Sequence, residues 1–342
     1  MEIPVKVLLF FLMTLAISQA SPISYGLFAF PGASETDASG VNNSGVIAGN
    51  YFDNSGREHG FIRSADGNNY ETITYPGAAQ TVLFGINNAG EVLGAESDGS
   101  STTHSFIRNA NGVYSVFDVP GSFFSIRGIN DSNQVVGSAN GRGFIRNSDG
   151  VYTFFDVPGY QGNCCEQGDL AINDAGVVAG TVNDAGRFHD FIRSADGNEY
   201  VVFDPSGIGN PALLGINNQG ELVGVSYTSS GANAFVCSAA GVNTCTTLPA
   251  IPFFDNSQMI GDGINDSGEI VGTFGKFGGG PYSFCTGPCA GSLVPSPEID
   301  SLSTTISALV VLFLLQQRKL SGQSFPSWFR RRSHPGDNRE TL

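Results

Sequence analysis

Three of the four histidines share one local setting. His59, His104 and His189 each stand two residues before a phenylalanine, at Phe61, Phe106 and Phe191. Imidazole can ligate zinc or act as a general base near neutral pH. A metal centre needs several such ligands brought to one point. Three copies of one short context read instead as one repeat position, so no metal ligand is assigned. Other chemistries lack their signatures. The chain has no G-x-S-x-G nucleophile elbow. Asp66, Asp149 and Asp196 come one per turn, short of the D-x-D-x-D-G density of a calcium loop, and read as turn formers. Facing loops can bring Glu96, Glu166 or Asp190 together as a carboxylate pair, which spacing neither requires nor forbids. No catalytic residue and no cofactor is assigned, and the chain is read as non-enzymatic.

The cysteines suggest covalent bridges. All six fall in close pairs, Cys164/Cys165, Cys237/Cys245 and Cys285/Cys289. None has zinc spacing with histidine partners, so disulfides are favoured over metal. Six cysteines allow fifteen pairings. The turn Ser238-Ala239-Ala240-Gly241 can set Cys237 across a hairpin from Cys245, and that bridge is expected. Cys285–Cys289 is a second candidate. A bond between adjacent Cys164 and Cys165 would be strained, and those two stay open.

The elements that carry these residues come from a repeat. A nine-residue pattern occurs six times without gaps: VNNSGVIAG at 41–49, INNAGEVLG at 86–94, INDSNQVVG at 129–137, INDAGVVAG at 172–180, INNQGELVG at 216–224 and INDSGEIVG at 264–272. An apolar residue ends one strand, four turn residues follow, and an apolar strand returns. Asn-Asn/Asp-x-Gly suits a type I turn with its glycine in the left-handed region. Asn133 replaces that glycine once, and asparagine is the other residue that enters this region readily. Turn chemistry explains Asn42, Asn87, Asn130, Asn173, Asn217 and Asn265 more simply than a binding series does. The sequons at Asn42, Asn130 and Asn265 coincide with these turns and carry no weight.

A second pattern interleaves with the first: GFIRSADGNNYETITYPG at 60–77, SFIRNANGVYSVFDVPG at 105–121, GFIRNSDGVYTFFDVPG at 143–159, DFIRSADGNEYVVFDPSG at 190–207 and a degraded AFVCSAAGVNTCTTLP at 234–249. Each is a strand, a tight turn and a second strand. Alternation around Tyr114, Val116 and Val119 predicts half-buried strands, and Pro120 ends one. Each unit of about 44 residues thus holds four strands, the size of a propeller blade. The fold class is all-β, a six-bladed β-propeller, with an open β-repeat array as the alternative. The ends favour closure. Tyr25–Gly32 aligns with the second strand of a unit, and Tyr282–Thr286 supplies the first strand that it lacks. A C-terminal strand beside the N-terminal one removes exposed sheet edges.

The composite motif, (H/N)-x-F, a hairpin, then IN-x-x-G with two apolar residues and a glycine, resembles the HAF family of extracellular repeats. His59-Gly60-Phe61, His104-Ser105-Phe106 and Asn233-Ala234-Phe235 carry its first part, Ile86-Asn87 to Gly94 and its five relatives the second. The resemblance covers residues 25–290 and implies a secreted, repeat-built β protein with no defined reaction. Val294-Pro295-Ser296-Pro297-Glu298, the apolar run Ile306–Leu315 and the basic Arg318-Lys319 are similar to a degenerate PEP-CTERM sorting signal. That resemblance implies export, processing by a membrane exosortase and surface attachment. The altered Pro-Glu-Pro core and the continuation to Leu342 depart from it, and a short membrane anchor with a basic tail is the alternative.

The remaining composition places the chain outside the cytoplasm. Lys6, the apolar run Val7–Ile17 and Ser18-Gln19-Ala20 form a signal peptide cut by signal peptidase after Ala20. About 11 apolar residues are too few to span a bilayer. The domain reading is therefore a signal peptide over 1–20, a propeller over 21–291, a linker with the PEP-like motif over 292–302, the apolar sorting segment and basic stop over 303–319, and a disordered basic tail over 320–342. The net charge is −15, which repels nucleic acid and anionic lipid. The membrane is reached only through the C-terminal segment.

Alternating strand direction puts both tight turns of every unit on one face and both variable connections on the other. Irregular loops on a rigid scaffold are the usual place for binding. Phe123, Phe124, Tyr160, Glu166, Asp169, Phe253, Phe254 and Phe277 are the binding candidates there, although packing of these rings onto the core is the simpler reading. The first functional expectation is an extracellular protein that binds a polysaccharide or a surface protein. The others are a purely structural matrix component and a propeller-type carbohydrate-active enzyme.

Overall fold

Short runs of β-branched and aromatic residues, punctuated every few residues by Asn-x-x-Gly or Asp-Gly turns, leave room for strands and little else. The computed structural model describes residues 23–99, 103–121, 124–160, 169–205, 207–229, 231–238, 244–251, 258–275 and 282–287. The stretches read from sequence as a signal peptide and as a C-terminal sorting segment with its tail lie outside these residues, as do Phe123, Glu166, Phe253, Phe254 and Phe277. Among the described residues, twenty-four strands form six four-stranded antiparallel sheets.

The first strand, β1 (Tyr25–Phe28), waits for the end of the chain. Blade 1 is β2 (Glu35–Val41), β3 (Ile47–Phe52), β4 (Glu58–Arg63) and β5 (Tyr70–Ile73). Blade 2 is β6 (Gln80–Ile86), β7 (Val92–Ser97), β8 (Thr103–Arg108) and β9 (Tyr114–Phe117). Blade 3 is β10 (Phe124–Ile129), β11 (Val135–Ala139), β12 (Arg142–Arg146) and β13 (Tyr152–Phe155). Blade 4 is β14 (Leu170–Ile172), β15 (Val178–Asp184), β16 (Arg187–Arg193) and β17 (Tyr200–Phe203). Blade 5 is β18 (Pro211–Ile216), β19 (Leu222–Thr228), β20 (Gly231–Cys237) and β21 (Cys245–Thr247). Blade 6 is β22 (Gln258–Ile264), β23 (Ile270–Gly275), β24 (Tyr282–Thr286) and then β1, with Tyr25 opposite Thr286 and Phe28 opposite Ser283. The first strands of successive blades touch in cyclic order, and β22 meets β2. The molecule is a six-bladed β-propeller closed by its C-terminal strand, so the open array is excluded.

The two repeat patterns are two halves of one contact. The last glycine of each nine-residue motif lies directly across from the phenylalanine of the next strand: Gly49–Phe61, Gly94–Phe106, Gly137–Phe144, Gly180–Phe191, Gly224–Phe235 and Gly272–Phe284. All six rings are fully buried. In blades 1, 2, 3, 4 and 6 a Cβ on that glycine would collide with the facing ring, and in all six with the backbone of the innermost strand. Burying one such ring stabilises by about 2–3 kcal/mol. The arginines of the FIR strands join blade to blade. Arg63, Arg146 and Arg193 lie over Phe28, Phe117 and Phe155, each on the outer strand of the preceding blade. Arg108 instead pairs with Glu71 of blade 1 at 2.6 Å. On β9 the buried phase is Phe117, while Val116 is 49% exposed. Tyr114 packs on the core and Val119 is buried, as expected, so the alternation fails only at Val116, which lies on the solvent side of the outer strand.

The motif asparagines do more than close their turns. The Asn130 side-chain oxygen accepts from the N–H groups of Ser132 and Gln134, holding its own turn. Its amide nitrogen donates to the Asn173 carbonyl in the next blade at 3.0 Å. The same inter-blade bond runs Asn42→Asn87→Asn130→Asn173→Asn217→Asn265 and from Asn265 back to Asn42, at 3.0–3.3 Å. A second ring lies beside it. The backbone N–H of Asn43, Asn88, Asp131, Asp174, Asn218 and Asp266 each donates to the side-chain oxygen of the next member, at 2.7–2.9 Å. Asn133 takes φ 56°, in line with the glycines of the other five turns.

The bridge expected between Cys237 and Cys245 is present, its cysteines opposite one another on β20 and β21 with Cα atoms 4.0 Å apart. Cys285 is also disulfide-bonded, while Cys164, Cys165 and Cys289 lie outside the described residues.

Two tests follow from this closure. Ending the chain at Gly279 removes β24 and strands β1, whereas ending it at Gly291 keeps both. Urea unfolding will show a large loss in the first and near wild-type stability in the second. Asn130→Asp keeps the turn acceptor but removes the donor to Asn173, at a cost of about 2 kcal/mol. Asn109→Asp, in a hairpin where the side chain only holds its own turn, is expected to change the midpoint little.

Candidate functional site

The inner strands carry one irregularity that shapes the axis of the molecule. In five blades the ladder between first and second strand slips by one residue, at Ser39, Phe84, Arg127, Leu214 and Asp262. Such bulges re-aim a side chain. All five skipped residues line one funnel of about 450 Å³, which opens on the face of the variable connections. Blade 4 has no slip. The bulge also frees a backbone N–H just before it, and the preceding blade supplies the partner. Ser283 accepts from Ala38, Asn50 from Leu83, and Thr181 from Leu213, at 2.7–3.0 Å. The site and the blade joints are therefore built by the same local distortion.

Below the funnel, Val41, Ile86, Ile129, Ile172, Ile216 and Ile264 meet around the axis, each 7–8% exposed. These are the first residues of the nine-residue motifs. They separate the funnel from a small polar mouth of about 70 Å³ at the two asparagine rings. The funnel thus opens at one end.

Its electrostatics are polarised. Asp37 and Asp262 come from neighbouring blades, 1 and 6. Burial, then Glu35 and Glu58, push Asp37 up to about 6. Burial pushes Asp262 up to about 8, opposed by Arg127 and reinforced by Asp37. Its nearest described partner is the Thr273 hydroxyl at 3.5 Å. Arg127 belongs to blade 3, opposite blade 6 across the ring. It forms no ion pair with any described residue, and its Nε is buried with no hydrogen-bond partner. Burial also raises Asp169, with Arg127 opposing. Phe84, Leu214 and Ile260 make the wall apolar between these charges, and Tyr227, 44% exposed, stands at the rim. The arrangement suits a compact ligand that offers acceptors to Arg127 and donors to the carboxylates.

The described residues chosen from sequence fall elsewhere or nearby. Phe124 opens β10 and packs half-buried on the core. Tyr160 packs on the core and against His189, ring centroids 5.5 Å apart. Asp169, buried before β14, is the one drawn electrostatically toward the funnel. Asp190 does not join a carboxylate pair with Glu96. It is fully buried in blade 4, accepts from Thr181 at 2.9 Å, and burial pushes it up to about 8. The histidines stay in separate blades. His59 contacts Thr74 and Asp53, His104 bonds Asp118 at 2.8 Å, and His189 bonds Asp204 at 2.5 Å. Asp66 and Asp196 cap their own turns. Arg127, Asp37 and Asp262 were missed. The signal for two of them was available: the residue two places before each motif changes between repeats, Ser39, Phe84, Arg127, Leu170, Leu214 and Asp262, just before a nearly constant glycine.

No protein-family model and no curated protein matches the sequence. Solved structures match by fold. TolB from Acinetobacter baumannii aligns with TM-score 0.50 and 12% identity over 63% of this chain. The match spans 55% of that TolB chain. A putative TolB from Agrobacterium tumefaciens aligns with TM-score 0.50 and 12% identity over 66% of this chain and 89% of its own. A gluconolactonase, XC5397 from Xanthomonas campestris, reaches TM-score 0.48 at 11% identity over 76% and 88% of the two chains. At these identities the likeness is one of propeller architecture alone.

The raised carboxylates make stability fall with pH. Both groups bind protons more tightly folded than at the ordinary value near 4, so the fold is penalised progressively as pH rises from about 4 to about 8. Asp262→Asn removes the larger part of this penalty. Urea unfolding is expected to show the variant more stable than wild type by roughly 1–3 kcal/mol at pH 9. At pH 4 the two should coincide.

Proposed function

We propose that this protein is a secreted or cell-surface-attached, non-enzymatic propeller that holds an extracellular partner in the funnel of its loop-bearing face. The observation that carries this reading is Arg127, its Nε buried without an acceptor, sharing a one-ended funnel with Asp37 and Asp262. Arg127 is half-buried with its Nε lacking an acceptor, which costs stability, and an occupant with acceptor oxygens would relieve that cost. The export part of the reading comes from the signal-peptide pattern, the HAF-like repeats and the PEP-CTERM-like segment. The Cys237–Cys245 disulfide supports an oxidising location.

A second reading rests on the same carboxylates. One held near 6 beside one held near 8 gives an ionised base and a protonated acid at neutral pH, as glycan hydrolysis requires. Binding is preferred because Arg127 Nε, buried without an acceptor, is met by an occupant and has no part in the acid–base pair.

Protein purified from culture medium tests both on a glycan array. Retention that Leu214→Trp, which fills the funnel, abolishes is the expected result. Mass spectrometry of recovered glycans should find them intact, and shortened products would establish the enzyme instead. Silence of the array together with no retained surface protein would leave the purely structural matrix role.

A further inference from the structure

We propose that the funnel receives the end of a glycan through an amino sugar bearing a free ammonium group, seated between Arg127 and the facing carboxylates of Asp37 and Asp262. This rests on the funnel being the binding site, as proposed above. The shape sets the mode of binding. Six apolar side chains close the floor, from Val41 to Ile264, so a polymer cannot thread through. A chain terminus or a one-sugar branch fits a cavity of about 450 Å³.

Charge sets the chemistry. The groups facing Asp262 are Arg127 from β10, Asp37 from β2, Tyr227 from β19 and the Thr273 hydroxyl from β23. Glu35 stands at the same wall as Asp37. This side gains from a cation, and an arriving ammonium displaces the proton that burial leaves on Asp262. A cation alone does not satisfy the opposite wall, where Arg127 Nε is buried and without an acceptor. The occupant must therefore carry acceptor oxygens a few ångströms from its ammonium. An amino sugar has hydroxyls on the carbons next to its amine. A lysine side chain carries its ammonium on an apolar tether and leaves Arg127 unfilled. The exposed Tyr227 at the rim and half-buried Phe84 offer flat apolar surfaces to the C–H face of a sugar ring.

Calorimetry on the secreted protein decides the matter, using a tetramer of glucosamine, the same tetramer N-acetylated, and tetralysine. Measured at about pH 5.5, where the sugar amines are already ammonium and Asp262 still holds its proton, in two buffers of different protonation enthalpy, the free-amine tetramer is expected to bind with release of protons. It should bind about tenfold tighter than the acetylated form, the value of one charged hydrogen bond. Asp262→Asn should abolish the proton release and weaken binding about tenfold, and Arg127→Gln should weaken it as much, with circular dichroism confirming both folds. Equal affinity for both tetramers, an unchanged Asp262→Asn variant, no binding of the free-amine tetramer, or tighter binding of tetralysine would each overturn the proposal. If binding of the acetylated tetramer or of tetralysine is lost in Leu214→Trp, the funnel remains the site and only the amino-sugar assignment falls.

Discussion

Closure around an axis is the constraint on which the rest depends, and the asparagine rings are where it is met. A ring of blades has no end at which error can be discarded. Every unit must present the same angle to its neighbour, six times over. Here one side chain per blade joins two tasks. The carbonyl oxygen of Asn130 fixes the conformation of its own turn, while the amide nitrogen reaches the Asn173 carbonyl of the next. A turn that slips loses its neighbour as well, so local and global order fail together. The last link, Asn265 to Asn42, spans 223 residues and is as short as the others, at 3.1 Å.

Narrowness near the axis imposes a second demand. Gly40, Gly85, Gly128, Gly215 and Gly263 precede the first motif residue, and the backbones of adjacent blades approach closely there. A Cβ on Gly263 would stand 2.9 Å from the Gly40 Cα of the next blade. Blade 4, which has Ala171 at this place, is also the blade whose first strand shows no slip. Farther out the demand reverses: space must be filled, and the Phe61-type rings fill it against the motif glycines. Glycine and phenylalanine abundance, which composition alone presents as two facts, is one packing rule read at two radii.

Much of this was legible in the sequence. Six ungapped copies of the motif and the complementary fragments Tyr25–Gly32 and Tyr282–Thr286 determine blade number and closure, because turn chemistry and strand alternation are local properties. The disulfide across a four-residue turn is equally local. The roles of the FIR arginines and of the asparagine amide nitrogens were not legible, since their partners lie in the neighbouring blade at separations of 29 to 48 residues, and 223 at the closing joint. The funnel was hidden for a different reason. Binding was sought in the irregular loops, where Phe124 and Tyr160 turned out to pack on the core. The polar groups that converge come from regular strands, turned inward by a bulge that periodicity does not reveal.

The bulge position explains how such a regular object can be specific. Every other inner-strand position near the axis is held by the ring: the glycine by close approach, the motif apolar residue by the floor, the asparagine by the inter-blade bond. The residue skipped by the ladder makes none of these contacts. Ser39, Phe84, Arg127, Leu214 and Asp262 therefore differ freely in size and charge while their blades superpose in role. Each of these five blades contributes one independent choice to a shared cavity. Opposed blades 3 and 6 hold an arginine and an aspartate, so the repeat symmetry is broken where a ligand would feel it and kept where closure requires it. The proposed binding rests on this charge asymmetry, set against the near-sixfold regularity of the glycine, apolar and asparagine positions beside it.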